Sequence, residues 1–308
     1  MFSPSVIAQI VSTIHNRRDL LNLALIDDFH DAATARLYYH IALSSPTRAI
    51  QLCNSIVSSA SYTVGEHDPQ HPQAKLYLRR KELAKYVRVF VFSQDWSRSA
   101  SMFAMDAGLD PDLGASFWSQ IRSMLVLLPN LQILALVDAT SNHSFIFDHP
   151  EEFSFRLSDL RIRFAWDERL AAFLKTQEAI KSLTIQEGSA KRLLPGMRSV
   201  GGEPLAKVVP GTGKNIISYE GPITIARDLS SSKLSNIQSI FPTATPQHLH
   251  TLISRNRHLR SLTLYETPEE RVEWVLELVA AAELPLVHLG VLAIPLDVRC
   301  MLFPVPDC

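Results

Sequence analysis

Apolar residues recur along much of this chain in one short phrase, Leu-x-x-Leu-x-Leu, in which other apolar residues can replace leucine. The last positions alternate apolar with polar, which is typical of a strand with one buried face. The copies are Val87-Phe90-Phe92, Leu131-Leu134-Leu136, Leu157-Leu160-Ile162, Ile180-Leu183-Ile185, Leu259-Leu262-Leu264 and "LVHLGVLAI" at 286 to 294. We predict a strand at each copy.

Helices are predicted between these strands, because capping residues precede apolar stripes in the intervals. The predicted helix starts are Asp110-Pro111, Asp167, Thr245-Pro246 and Thr267-Pro268. A capping oxygen accepts a hydrogen bond from a free N–H of the first turn, and proline at the first helical position gives up no bond. The alternation of strand and helix predicts an α/β fold with parallel strands.

The spacing of the strand phrases indicates a repeat. Phrases that begin at 131, 157 and 180 lie 26 and 23 residues apart. Leucine-rich repeats have periods of about 20 to 29 residues, and the longer gap from 87 to 131 indicates an insertion. Between 188 and 245 the pattern loosens into predicted short strands, Ile216 to Tyr219 and Pro222 to Ile225, separated by glycine and proline turns.

We therefore predict an irregular leucine-rich-repeat solenoid over residues 81–308. The alternative architecture is an open doubly wound sheet with an active site at the strand ends. Two features of the sequence argue against it. The strand phrases are short with a fixed leucine spacing, and no glycine-rich turn leads from a strand into a helix.

A separate helical block is predicted at the start of the chain, over residues 1–45. Ser3 and Pro4 form a helix start, Asp19 is a candidate cap for a second short helix, and Asp31 for a third. Ser45 and Pro46 repeat the start signal for a fourth helix. We assign this fourth helix to a connecting and linker segment at 46–80.

The block resembles the F-box, especially as it occurs in a large class of fungal F-box proteins. The resemblance covers about residues 2 to 43. It rests on the order of the apolar residues, on the segment "RDLL" and on the ending "ATARLYYHIAL". A second resemblance lies in the phrase Leu-Pro-x-(apolar)-Arg-Ser near 194, followed by a proline-glycine loop and "GPIT". In that family the block binds the adaptor subunit of a cullin-based ubiquitin ligase. The matching positions here are Pro4, Ile7, Ile10, Leu20, Leu21, Ala24, Leu25 and Leu37.

Charge and cysteine usage narrow the class of protein further. The 308 residues contain 30 Lys and Arg against 31 Asp and Glu, a net charge of -1, so we expect neither nucleic acid nor an anionic membrane as partner. Three cysteines without paired spacing are typical of a reducing compartment, so we predict an intracellular protein of cytoplasm or nucleus. The first residues are expected to be neither a signal peptide nor an anchor.

The sequence was also searched for nucleotide-binding, metal-binding and catalytic motifs. "VVPGTGKN" at 208 to 215 lacks the first glycine and the hydroxyl of a phosphate loop. His67, Asp68 and His71 lie in a polar loop, and His248 and His250 would diverge on a helix. Adjacent acidic pairs such as Glu269 and Glu270 also diverge. We therefore predict no enzyme, with no catalytic residues, no cofactor and no metal ligands.

These observations and the resemblance together predict a substrate-recognition subunit of a cullin-type (SCF) ubiquitin ligase. The block would bind the adaptor and the repeats would bind an unknown target protein. Candidate contact residues beside the strand leucines are Gln132, Arg161, Arg163, Lys181, Thr184, Arg260 and Thr263. The alternatives are a repeat scaffold in which the leucines of the block only form a structural cap, and an α/β enzyme with a deep polar pocket.

Overall fold

The computed structural model describes residues 2–61, 83–94, 111–138, 143–164, 166–185, 213–229, 233–240 and 246–294. Contacts divide the chain into two compact units, unit 1 (Met1–Leu157) and unit 2 (Ser158–Cys308). Each unit has its own hydrophobic core and its own run of parallel strands. The α/β class and the parallel strand pairing that the sequence predicted are confirmed.

Unit 1 begins with helices and continues as alternating strands and helices. Its elements are α1 (Pro4–Thr13), α2 (Arg17–Leu23), a 3-10 turn (Asp27–Phe29), α3 (His30–Tyr39), β1 (His40–Leu43), α4 (Pro46–Ser61), α5 (Leu83–Tyr86), β2 (Val89–Gln94), α6 (Pro111–Val126), β3 (Ile133–Asp138) and two further 3-10 turns (Ser144–Phe147 and Pro150–Glu152). The connecting helix predicted after residue 45 is therefore α4, whereas most of the predicted linker lies outside the described residues.

The strands of unit 1 pair in parallel in chain order, β1 with β2 and β2 with β3. Ile41, Phe90 and Leu134 are register partners and are all buried. Helix α6 covers this side of the sheet, because the ring of Phe117 lies 5.1 Å from that of Phe92. The core of unit 1 therefore lies between its strands and α6.

Unit 2 repeats the alternation more regularly. Its elements are β4 (Asp159–Ile162), α7 (Glu168–Thr176), β5 (Ser182–Ile185), β6 (Ser218–Pro222), α8 (Ile223–Asp228), β7 (Asn236–Ile240), α9 (Pro246–Arg255), β8 (Ser261–Pro268), α10 (Glu269–Ala281) and β9 (His288–Ile294). Each strand from β5 to β9 pairs in parallel with the strand before it in the chain. This order does not reverse, whereas a doubly wound sheet places its ligand where the order reverses.

The register of unit 2 puts one residue of each strand in a common buried row. The row consists of Leu160, Leu183, Tyr219, Ile237, Leu262 and Leu289. The first five are fully buried and Leu289, on the last described strand, is 36% exposed. The residues on either side of the row are mostly polar, so the two faces of the sheet differ in chemistry.

The strand predictions agree with the structure at all six copies of the leucine phrase, and one further prediction is wrong. Residues Pro222 to Ile225 do not form a strand, because Pro222 ends β6 and precedes the helix α8. Two strands were not predicted. Strand β1 follows α3 without a turn, and β7 lacks the leucine phrase.

Three predicted helix caps are wrong and two are confirmed. Asn16, not Asp19, caps α2 by accepting from the N–H of Arg18, and α3 begins one residue before Asp31 after a 3-10 turn. Thr267 belongs to β8, and its buried hydroxyl has no hydrogen-bond partner among the described residues. Ser3 caps α1 and Asp167 caps α7 as predicted. Asp110 and Thr245 lie outside the described residues.

The end of β6 requires a glycine at 221. Gly221 has a φ of 150°, and a Cβ atom there would lie 2.5 Å from the backbone oxygen of Ile185 and 2.6 Å from the hydroxyl of Tyr219. That hydroxyl donates to the carbonyl of Pro222, and the carbonyl of Gly221 accepts from the buried Ser239 hydroxyl. The Gly-Pro pair of "GPIT" therefore joins β6 to β7, and the missing side chain at 221 lets β6 approach β5.

We expect the Gly221→Ala substitution to destabilise unit 2 by more than about 1 kcal/mol, because the new methyl group meets backbone at an unfavourable φ. Thermal unfolding followed by circular dichroism should show a Tm lower by about 3 °C or more. The control is Gly114→Ala in α6, where a Cβ atom would have nothing within 4 Å. This control should be neutral or stabilising by about 0.5 to 1 kcal/mol. Equal effects of the two substitutions would contradict the argument.

Candidate functional site

The first candidate site is the N-terminal block, defined as residues 2–39 with helices α1 to α3. Its core consists of three buried residues, Ile7, Val11 and Leu20. Half-buried side chains pack around them: Ile14, Leu23, Phe29, Ala32 and Leu37. This is a small core for so many helical residues, because each buried leucine-sized side chain contributes only about 1.5 to 3 kcal/mol.

Local hydrogen bonds fix the path of the block. The side chain of Asn16 accepts from the N–H of Arg18 at 2.9 Å and starts α2. After α2, the ring nitrogen Nδ1 of His30 lies 2.6 Å from the carbonyl oxygen of Ala24 and joins the start of α3 to the end of α2. The turn between them is therefore held, and residues 24 to 26 take a defined position.

Apolar side chains are exposed on and just after α2. Leu21 is 52% exposed, Leu25 84% and Ile26 50%. Leu21 lies in α2, and Leu25 lies in the turn that follows it, where its N–H donates to the carbonyl of Asn22. We call Leu21, Leu25 and Ile26 the Leu25 surface. Phe2, Val6 and Tyr39 of the block are also exposed.

The structure divides the predicted adaptor-binding residues into three groups. Ile7 and Leu20 are buried in the core of the block, where they contribute to its stability. Ile10, Ala24 and Leu37 are half-buried. Pro4, Leu21 and Leu25 are exposed and are therefore available for contact. The role of these residues in binding stays a prediction.

Ile26 is a surface residue that the sequence analysis missed. It follows the leucine stripe of α2 and lies outside the helix, so helical periodicity did not include it. Its backbone N–H donates to the carbonyl of Leu23, which continues the turn and keeps Ile26 beside Leu25. An apolar pair followed by two aspartates, "LIDD", was the available signal.

The second candidate site is the polar face of the unit 2 sheet. Three predicted contact residues, Arg161, Thr184 and Thr263, lie in one register row. The same row contains Glu220, which accepts from the Thr184 hydroxyl at 3.4 Å. The hydrogen bond and charge of Asp159, 3.1 Å from the Arg161 guanidinium, raise the pKa of Arg161.

The remaining predicted contact residues lie elsewhere. Gln132, Lys181 and Arg260 are exposed and immediately precede strands, and Arg163 is half-buried after β4. Thr184 and Thr263 are less accessible than predicted, at 7% and 8% exposure. Their neighbours on the same row cover them, because opposite side chains in a sheet lie close together.

The chemical candidates gain no support from the described residues. Asn215 donates to the carbonyl of Glu178 and accepts from Lys233, so residues 213–215 form a turn that leads into β6. No helix starts there, as a phosphate loop needs. Within the described residues there is no group of three or more His, Cys, Asp and Glu that could hold a metal ion. His67, Asp68 and His71 lie outside the described residues.

Cys53 is buried in unit 1, beside the sulfur of Met124 at 3.7 Å. Burial raises the pKa of its thiol to about 12. The thiol therefore stays protonated at neutral pH, and the thiolate that nucleophilic catalysis needs is not formed.

Comparison with protein-family models and with curated protein sequences finds no match to this chain. In the described part of the chain, none of the helices has the length and apolar character needed to cross a membrane.

We expect the two neighbouring leucines of α2 to behave oppositely when truncated. Leu20→Ala should destabilise the block by about 2 to 3 kcal/mol because it leaves a cavity. Leu21→Ala should change stability by less than about 0.5 kcal/mol because the side chain is exposed. Hydrogen exchange of the α1 to α3 amides measures both effects. Faster amide exchange in Leu21→Ala than in the parent chain, or an unchanged rate in Leu20→Ala, would contradict the assignment of Leu20 to the core and Leu21 to the surface.

Cys53 should resist alkylation in the native protein at neutral pH. Iodoacetamide treatment followed by peptide mass mapping should leave it unmodified, whereas the same treatment in urea should modify it fully.

The stability of the native protein should also depend on pH through Cys53. Since the native pKa of the Cys53 thiol lies above the ordinary value of 9.0, the native state keeps this proton to higher pH than the unfolded state does. Stability from this group is thus complete below about pH 9 and is lost as pH rises toward 12. A Cys53→Val variant should lack this loss.

Proposed function

We propose that this protein is a substrate-recognition subunit of a cullin-type ubiquitin ligase, in which the N-terminal block binds the adaptor and unit 2 binds a target protein. The proposal rests on the F-box resemblance of residues 2 to 43 and on the chemistry of the described surfaces. The bond-making steps would then take place on other subunits.

The observation that carries the proposal is the exposure of the Leu25 surface. Leu25 is 84% exposed although the core cluster of the block has only three buried side chains, Ile7, Val11 and Leu20. Covering Leu21, Leu25 and Ile26 with a partner would remove further apolar surface from water, which favours binding by about 25 cal/mol per Å². Exposed contiguous apolar side chains with a polar rim are typical of a protein interface, and Asp27 and Asp28 form such a rim here.

The strand order of unit 2 supports the second half of the proposal. Parallel strands that pair only with their chain neighbours are what stacked repeats produce, and leucine-rich repeats place a strand in every repeat. The polar face of such a sheet presents side chains of several strands to one partner. Arg161, Glu220 and Gln238 are exposed on this face and are our candidates for target contacts.

A repeat scaffold without a ligase partner is the second candidate function. The burial of Ile7 and Leu20 favours it, since these residues form the core that a purely structural cap would need. The two candidates differ in one property. Only the ligase receptor requires the Leu25 surface to bind the adaptor.

We expect the purified chain to bind the adaptor subunit in a pull-down or by calorimetry. The Leu21→Asp plus Leu25→Asp variant should lose this binding, because a central interface residue contributes about 2 kcal/mol or more and a buried carboxylate adds a desolvation cost. Both side chains are exposed, so circular dichroism should show an unchanged fold.

The matched control is Leu276→Asp on α10 of unit 2, where the leucine is 45% exposed. This variant carries the same kind of change away from the block and should bind the adaptor like the parent chain. Failure of the parent chain to bind would reject the ligase function in favour of the scaffold. Equal binding by all three proteins would place the contact outside the Leu25 surface.

A further inference from the structure

The turns that lead into strands β5 to β8 are strongly basic, although the whole chain has a net charge of -1. They comprise residues 175–181, 213–217, 233–235 and 255–260, which we call the basic edge. The edge contains seven exposed basic residues, Lys175, Lys181, Lys214, Lys233, Arg255, Arg257 and Arg260. Its acidic residue is Glu178. Because parallel strands all begin at one end of a sheet, these charges collect there.

Backbone hydrogen bonds align the residues of the basic edge across the strands. The N–H of Ile217 donates to the carbonyl of Lys181 at 2.8 Å, and the N–H of Arg260 donates to that of Ser235 at 2.8 Å. Ser235 in turn donates to Ile217 at 2.9 Å. The order across the edge is therefore Lys181, Ile217, Ser235, Arg260. The two cations are three strands apart, which corresponds to about 14 Å.

An apolar side chain lies between these two cations. Ile217 is 38% exposed, and the next position of the same row, Val287, is 85% exposed. The row therefore combines two cations with two exposed apolar side chains and one serine. A nucleic-acid strand would present phosphates at every step and would use aromatic side chains for stacking. The basic edge has no Phe, Tyr or Trp in its described residues, so its pattern fits a polypeptide better.

The turns beside the row form a small cleft with a fixed frame. Lys175 and Lys214 line it together with the acidic Glu178 and the buried Gln177. Asn215 connects three of the turns, because its amide donates to the carbonyl of Glu178 and its oxygen accepts from the Lys233 ammonium, both at 2.8 Å. The turns that precede β5, β6 and β7 are therefore held together at this edge.

We propose that the basic edge binds an acidic polypeptide segment in extended conformation. Carboxylates about four residues apart would reach Lys181 and Arg260, since an extended chain rises about 3.4 Å per residue. An apolar side chain between them would cover Ile217. This surface is distinct from the Leu25 surface, and the inference goes beyond the proposed function and does not depend on adaptor binding.

The test uses fluorescence anisotropy with the full chain in low-salt buffer. The probe is a labelled peptide with glutamates spaced four residues apart and leucines between them. Two comparison probes are the same peptide with glutamine for every glutamate, and a single-stranded oligouridine of similar length. We expect binding of the acidic peptide that weakens by about tenfold or more as salt is raised, because exposed charges are screened.

The variant that tests the geometry is Lys181→Glu plus Arg260→Glu, which should lower the affinity for the acidic peptide by about tenfold or more. Lys181→Gln plus Arg260→Gln should have a smaller effect in the same direction. The control with an equal change in net charge is Arg36→Glu plus Arg48→Glu in unit 1, where both arginines are exposed. It should bind within about twofold of the parent chain. Ile217→Ser should lower the affinity for the leucine-containing peptide without changing the salt dependence of binding.

Four results would overturn the proposal: no binding of the acidic peptide, equal binding of the glutamine peptide, unchanged affinity in the charge-reversed variant, or tighter binding of oligouridine. The last result would assign the edge to nucleic acid. The Leu21→Asp plus Leu25→Asp variant should bind the acidic peptide like the parent chain. A failure of the adaptor experiment and a failure of this one are therefore distinguishable.

Discussion

The buried register row of unit 2 is the constraint on which the rest of that unit depends. Leu160, Leu183, Tyr219, Ile237 and Leu262 are each fully buried, and each covers the next. Side chains alternate between the two faces of a strand, so a slip of one residue would move an apolar side chain to the polar face. The same register places Arg161, Thr184 and Glu220 in one outward row and Lys181 with Arg260 at one edge. Both candidate surfaces of unit 2 therefore follow from the packing of its core.

The N-terminal block is limited by its size rather than by register. Three buried residues and a ring of half-buried ones remove little apolar surface from water, and small units of this kind commonly gain stability from another surface. The exposure of Leu25 beside the buried Leu20 shows how α2 divides its leucines between two sides. The inward leucine holds the block together, whereas the outward leucines are exposed and contribute little to its core.

Much of the fold could be predicted from the sequence, because period-two alternation and capping residues are local signals. The leucine phrases located β2 to β5, β8 and β9, and Asp167 located the start of α7. Strand β7 was missed because "NIQSI" places one isoleucine, Ile237, in the buried row without a leucine phrase. The change from β6 to α8 at Pro222 was missed because a short apolar run does not distinguish strand from helix. Tertiary packing decided both cases.

The candidate surfaces were harder to predict, because periodicity gives the direction of a side chain and not its accessibility. Leu20 and Leu21 are equivalent in composition, yet only packing against Ile7 and Val11 separates them. The basic edge was not predicted from the sequence, for a different reason. Its cations come from four turns that are far apart in the chain, and the total charge of -1 conceals them. A balanced net charge excludes a uniform electrostatic partner, but the parallel topology gathers like charges at one edge of the sheet, where they can act together. The apolar Leu25 surface and the charged edge therefore differ in chemistry, although neither is apparent from the composition of the whole chain.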